Sequence, residues 1–389
     1  MGLAWSLTTG VLLITGAAHA TVRIVPNDYA TIQAAIDSSD TGDTVLLSPG
    51  VFRGIGNRDI ELRGKDLVVK SMAGPDETII DCERAGRGFY LHEFETRAAR
   101  IEGLTIRNGL APEAGVHSGG AIFCSPSSPT IVDCWILDNE AENHGGGLCL
   151  VVFSGVVDEC VISGNNGFIG GGIEHVYGSA EISNCVITGN RAHDGGGVTL
   201  GAPTSNRLTG CTIAANLGTT GGGIESAGTL SLERCIVWGN CAFSNGDEIY
   251  CDDADVQCSV INSAGVQSSG EITYDENCLF TDPLFCESHP CGQTLQGDWS
   301  LDAASLCLPE HSPCGELIGA LGHGCGTIPV GACCRENGTC LLVNEHECAN
   351  WNGIYQGDET SCHPNPCWST SAESATWGGI KSRFLETAR

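Results

Sequence analysis

Short apolar bursts recur along this chain at a fixed spacing, and polar residues interrupt them at the same places each time. Trp135-Ile136-Leu137, Val161-Ile162-Ser163, Val186-Ile187-Thr188, Thr212-Ile213-Ala214 and Ile236-Val237-Trp238 each follow a cysteine directly. Those cysteines, Cys134, Cys160, Cys185, Cys211 and Cys235, stand 26, 25, 26 and 24 residues apart. Five residues after each comes an asparagine: Asn139, Asn165, Asn190, Asn216 and Asn240. A glycine run (Gly145–Gly147, Gly170–Gly172, Gly195–Gly197, Gly221–Gly223) then leads into Leu148, Ile173, Val198 or Ile224. The period is too short for an independent domain, and too rich in Gly, Asn and β-branched residues for paired helices. It predicts one turn of a β-solenoid per repeat.

In such a coil alternate residues of each short strand point inward, so equivalent positions stack about 4.8 Å apart into columns of like side chains. Cysteine and isoleucine are expected to form buried columns. Asparagine suits the bends, because it tolerates left-handed backbone and its amide reaches the copies above and below. The glycine runs are expected where no Cβ fits. Tyr29 to Ser38 places Ile32, Ala35 and Ile36 on one helical face, a cap for the open end of the stack.

Several words carry a resemblance to the pectate-lyase-like right-handed parallel β-helix superfamily: YATIQAAIDSSDTGDTVLLSPGVF, GKDLVVKSMAGPDETIIDC, IEGLTIRNG and the GGGI repeats, which span most of Thr21 to Cys325. The GGAI and GGGI coils are also similar to repeats of polymorphic outer-membrane proteins. YDENCLFTDPLFC, GDWSL, HSPCG and LIGALGHGC resemble the final coils of secreted bacterial β-helix proteins. The expected fold is all-β: a right-handed parallel β-helix (a single-stranded β-solenoid) over 21–325, with an N-terminal helical cap and a small C-terminal disulfide-rich module over 326–367. Functions on this fold range from lyases and hydrolases to adhesins without catalysis, so the resemblance does not choose among them.

Composition sets the compartment and the partners. Residues 1–20 read as a secretory signal peptide, with apolar GVLLITGAA before Ala18-His19-Ala20, although the segment lacks Lys and Arg. No later run is long enough for a transmembrane helix. The 23 cysteines fall into classes. Those in the repeats read as stacked core thiols. Cys278, Cys286, Cys291, Cys307, Cys314 and Cys325 lie in irregular sequence, where disulfides would hold the last coils shut. Six more, between Cys333 and Cys367, are expected to form three disulfides in a unit too small for its own apolar core. Residues 368–389 contain ATWGGIKSRF, similar to WGxIK tails that read as a sorting signal. Net charge is −29, and Arg191, Arg207 and Arg234 are the only basic residues between Asn108 and Cys334. Such a surface repels nucleic acid, and it repels polygalacturonate unless Ca²⁺ bridges the two.

The resemblance implies two chemistries to look for. A lyase takes a Lys or Arg base with Ca²⁺. Lys65, Lys70, Arg107 and Arg191 are the candidates, with no obvious aspartate cluster beside them. A polygalacturonase-type hydrolase takes several carboxylates and a Gly-His-Gly word. Asp252-Asp253 and Gly322-His323-Gly324 are present, but the family's NTD and RIK words are not. The stacking itself offers a third arrangement, in which Cys149, Glu174, Thr199 and Glu225 form one outward column. Glu174 and Glu225 would stand two rungs, about 9 to 10 Å, apart, at the upper limit for an inverting pair. His175, His193 and Asp194 lie near them in register, so the catalytic candidates are Glu174, Glu225, His193 and Asp194. Trp135, Val161, Val186, Thr212 and Ile236 form a second outward column, an apolar stripe suited to a polymer or partner protein, with Trp135 as the ligand-binding candidate. The leading expectation is an exported, cell-surface or extracellular protein that binds polysaccharide or a surface partner without turnover. A polysaccharide lyase or glycoside hydrolase is the alternative, and an envelope spacer the third.

Overall fold

A computed structural model describes residues 20–111, 117–202, 206–292 and 297–326, and in the C-terminal module 331–335, 338–343, 348–349, 351–358, 360–362 and 366–368. The expected signal peptide, apart from Ala20, and the tail beyond Trp368 lie outside the described residues.

The repeats coil into a right-handed parallel β-helix with three faces. Sheet I stacks strands such as Thr130–Val132, Val156–Asp158, Glu181–Ser183 and Asn206–Thr209. Sheet II is nine-stranded, running from Gly50–Phe52 to Val260–Ile261. Sheet III stacks Phe89–Leu91, Ile122–Cys124, Leu148–Phe153, Ile173–Gly178 and Val198–Leu200. Sheets I and III merge where the long strands Ile224–Glu233 and Ile249–Gln257 run through both. Pairing is parallel throughout the coil, which leaves every inward position in register with its copy in the next turn.

The inward columns are apolar and sealed. On sheet II, Phe52, Ile80, Ile106, Ile136, Ile162, Ile187, Ile213, Val237 and Ile261 stack in sequence and are all buried. The ladder cysteines are buried free thiols, each donating its Sγ–H at 3.0–3.5 Å to the carbonyl two residues earlier. Burial pushes the Cys134, Cys185 and Cys235 thiols well above the ordinary range, so they are protonated packing groups.

The asparagines form one continuous buried ladder. Nδ2 of Asn139 donates to Oδ1 of Asn165 at 3.0 Å, Asn165 to Asn190 at 2.9 Å, Asn190 to Asn216 at 3.0 Å and Asn216 to Asn240 at 3.0 Å. Each Oδ1 also accepts the backbone N–H of the asparagine before it, and each Nδ2 donates to a carbonyl of the previous coil. The ladder ends on Glu248, a buried carboxylate that accepts Asn240 Nδ2 at 2.6 Å and the N–H groups of Gly239 and Asn240. One expectation is corrected here. The left-handed residue at this bend is the one before the asparagine: Asp138, Gly164, Gly189, Ala215 or Gly239. The asparagine is selected by its amide and not by its backbone. The glycine runs turn as expected. Gly170 has φ +66°, and a Cβ on Gly171 would sit 2.4 Å from the Gly196 carbonyl oxygen of the next coil.

At the N-terminal end the helix Ile32–Asp37 buries Ile32, Ala35 and Ile36, with Thr31 accepting from Ala34 N–H as its cap. At the other end the cysteine pairing differs from the sequence reading. Cys241–Cys291, Cys258–Cys314 and Cys286–Cys325 are the disulfides, so two coil cysteines, Cys241 and Cys258, supply partners. Cys278 and Cys307 are free. Two of the bridges tie the returning segment to the side of the coil, and Cys286–Cys325 closes that segment on itself. The module carries its three disulfides, Cys333–Cys348, Cys334–Cys367 and Cys340–Cys362, around a three-stranded antiparallel sheet.

Replacing one rung of the ladder tests its weight. Asn190→Ala removes partners from Asn165 N–H, Asn165 Nδ2, the Ile162 carbonyl and Asn216 Oδ1. Buried polar groups left unpaired cost about 1–3 kcal/mol each before relaxation, so a loss of roughly 3 kcal/mol or more is expected in denaturant unfolding.

Candidate functional site

Two outward surfaces carry the candidate residues. The first is the outward column of sheet III, which runs Tyr90, Phe123, Cys149, Glu174, Thr199, Glu225 and Tyr250 in register. It faces away from the core, but it is not open along its length. The residue before each glycine run folds back beside it, and Ser118, His144, Ile169, Asp194 and Thr220 stack in turn by parallel bridges. Glu174 is consequently only 3 % exposed, with Oε1 accepting from His144 Nδ1 at 2.7 Å and Oε2 accepting from the Cys149 thiol at 3.3 Å. That hydrogen bond raises the His144 pKa.

Glu225 stands in the same geometric relation to Asp194 as Glu174 does to His144, each pair joining a loop residue of one coil to a strand residue of the next. The chemistry is opposite. Where His144 is an attractive neighbour, Asp194 is a like charge, and Glu225 is pushed up to about 7 by burial and by Asp194, with His193 opposing. Glu225 Oε2 is buried without a hydrogen-bond partner among the described residues. Asp194 Oδ1 accepts from His193 Nδ1 at 2.6 Å and from the Thr220 hydroxyl at 3.0 Å, and the His193 ring stacks on Phe168 with centroids 5.0 Å apart. The fold thus brings Glu225, Asp194 and His193 together, while Glu174 joins a separate cluster with His144 and Cys149. His175, expected beside them, points into the core, where its Nε2 lies 3.2 Å from the Phe153 carbonyl oxygen. His144 was missed at the sequence level, yet a signal existed: it occupies the same place before Gly145 that Asp194 occupies before Gly195.

The second surface is the apolar stripe of sheet II. Its far end is not exposed as the alternation implied, because Val186, Thr212 and Ile236 are buried. The segment from Phe285 to Leu321 returns along the coil and packs Trp299 against Val186, Ala214 and Ala215, and Ile318 against Ile236. Gly319 N–H donates to the Arg234 carbonyl at 2.8 Å, Ala320 N–H donates to Thr212 Oγ1 at 3.0 Å, and Arg234 pairs with Glu316. The near end stays open as a cleft of 460 Å³ walled by Trp135 on the coil and Trp299 on the returning segment, with Ser163, Thr188 and Asp298 at its polar rim. A second cleft of 540 Å³, lined by Asp133, Glu159 and Arg234, shares Val161, Val186 and Leu321 with it.

Three of the four basic residues considered for lyase chemistry are engaged elsewhere, and Lys70 lies on the strand Val68–Ser71 in the early coils. Arg107 pairs with Asp81 at 3.2 Å, Lys65 Nζ donates to the Ile36 carbonyl at 3.0 Å and Arg191 to the Gly292 carbonyl at 3.1 Å. Asp252 and Asp253 sit in the strand Ile249–Gln257, and His323 in a strand that pairs with Asp298–Asp302.

Residues 88–280 match the family model described as the right handed beta helix region. With the sheet topology, that match gives the chain the right-handed parallel β-helix fold. Among solved structures it is similar to one titled "Crystal structure of pectate lyase Pel9A", at 15% identity and a TM-score of 0.42, covering 79% of this chain and 98% of that one. No curated protein matches the chain. Among the described residues no helix is long and apolar enough to cross a membrane.

The Glu225 environment predicts a pH signature. Its folded pKa lies above the unfolded value, so the folded state binds the extra proton between about 4.5 and 7 and stability falls as pH rises through that window. His144, raised by Glu174, acts in the same direction, its contribution being complete below about 6.5 and lost above its folded pKa. Melting temperature should therefore fall from pH 5 to pH 8, and Glu225→Gln should flatten the lower part of that slope.

Proposed function

We propose that this protein is exported and binds an uncharged polysaccharide in the Trp135–Trp299 cleft without turning it over. The single observation that carries the reading is a 460 Å³ groove lined by the partly exposed Trp135, with Ser163 and Asp298 among its polar lining and the nearly buried Trp299 packed against the coil beside it. Indole faces bury the apolar C–H faces of sugar rings, and a few polar groups at the edge orient the hydroxyls. Its rim charge is Asp298, and the chain carries −29 overall, which disfavours uronic acid polymers unless Ca²⁺ bridges them. Export is supported by the leader-like 1–20 segment and by six disulfides, bonds that persist in oxidising compartments.

A second reading, glycoside hydrolysis, is favoured by one observation, the Glu225 carboxyl poised near 7 beside Asp194 and His193. A carboxyl kept neutral near the working pH is the form a general acid needs. The two readings separate cleanly by measurement. Calorimetry with neutral β-linked oligosaccharides should show saturable binding that Trp135→Ala weakens about tenfold or more, and that Glu225→Gln leaves unchanged. New reducing ends from any polymer, abolished by Glu225→Gln, would replace the binding reading with the hydrolytic one.

A further inference from the structure

Glu61, His92 and Glu93 converge on one point at the N-terminal end of the coil, with one ligand atom from each within 4.8 Å of the others. They come from neighbouring coils, since Ile60 bridges to Phe89 in parallel and carries Glu61 beside the segment that follows Leu91. We infer that these three side chains form a divalent transition-metal site, with Zn²⁺ the best match, that clamps two successive coils together.

The ligands are held from behind, which separates this group from a chance meeting of surface charges. Gln33 fixes the Glu61 backbone from both sides, its Oε1 accepting Glu61 N–H at 2.9 Å and its Nε2 donating to the Glu61 carbonyl at 3.0 Å. The His92 ring packs on Tyr90 with centroids 4.4 Å apart, and Tyr90 in turn lies under the Arg87 guanidinium. Glu95, buried and anchored by Ser127, accepts N–H groups from Glu93 at 3.1 Å and from Gly64 at 3.0 Å, so the turn that carries Glu93 is pinned to the neighbouring coil. Supporting hydrogen bonds of this kind are what orient metal ligands before the ion arrives.

Charge and ligand type agree. Arg63 pairs with Glu61 through Oε2 and lies 3.7 Å from Asp37, while Glu61 Oε1 faces His92 Nε2 at 3.9 Å. Glu61, Glu93 and Asp37 against Arg63 and Lys65, which donates to the Asp37 carbonyl, leave a net negative charge that favours a cation. One imidazole with two carboxylates suits Zn²⁺ and its first-row neighbours; Ca²⁺ takes oxygen ligands only. Zinc bonds of about 2.0–2.2 Å bring tetrahedral ligand atoms to about 3.3 Å of one another, so the Glu61–His92 pair at 3.9 Å and the exposed Glu93 carboxylate would each draw inward slightly to complete the set. Three protein ligands leave a position for water or for a group on a bound molecule.

The test is Zn²⁺ titration of the full chain, followed by calorimetry and by the thermal midpoint, with Ca²⁺ as the comparison ion. The site predicts one Zn²⁺ per chain, a midpoint that rises with Zn²⁺ and not with equal Ca²⁺, and at least a tenfold loss of affinity in both His92→Ala and Glu93→Gln. Glu93 is exposed, so Glu93→Gln keeps the test valid should His92→Ala unfold. His117→Ala, at an exposed histidine–carboxylate pair elsewhere, should bind as the wild type does. Absence of Zn²⁺ binding to the wild type, wild-type affinity in Glu93→Gln, or a loss confined to His117→Ala would each overturn the inference.

Discussion

The buried amides of each coil complete their hydrogen bonds through the coils on either side. The asparagine ladder makes this plainest. Every Oδ1 satisfies two donors of the previous rung, and every Nδ2 satisfies the carbonyls that the bend would otherwise strand. Buried amides are stabilising when fully paired and costly when half paired, so the ladder rewards exact repetition and penalises slippage. The inward isoleucines and cysteines follow from the same register. A column holds like residues because each is packed by its own copies. The last rung has no asparagine above it, and the Glu248 carboxylate, with acceptor capacity to spare, takes the remaining donors.

The same register places chemistry on the outside. Because a loop residue in one coil lies beside a strand residue of the next, one substitution pattern yields a histidine–carboxylate hydrogen bond at His144 and Glu174 and a like-charge repulsion between Asp194 and Glu225. A solenoid of this kind is a rack of equivalent sites whose properties are set locally by two side chains. The Glu225 end carries an unpaired buried oxygen and a raised pKa, and the Glu174 end is neutralised and sealed.

The returning C-terminal segment adds what the rack lacks, a second wall. It covers the far half of the apolar stripe and stops short of Trp135, converting a flat strip into a cleft. The disulfides from Cys241 and Cys258 hold that segment against the coil, which accounts for cysteines at positions outside the ladder. The stripe therefore divides into a packing half and an open half.

The repeat alone determined the coil, its period, the three-residue strands, the buried Cys, Ile and Asn columns and the glycine bends, because each depends on residues at fixed offsets and on contact with copies of themselves. The helical cap was equally legible in Ile32, Ala35 and Ile36, and the module's three disulfides in its cysteine count. What only the tertiary structure decided are the meetings between residues that no period relates. Trp299 reaches Val186, Cys241 reaches Cys291, and the loop before each glycine run covers Glu174. Left-handed geometry fell one residue before each asparagine because the amide, and not the backbone, made asparagine necessary there. Alternation tells which way a side chain leaves the sheet. Whether it then meets solvent depends on what the rest of the chain lays over it, and that is settled by packing far from the repeat.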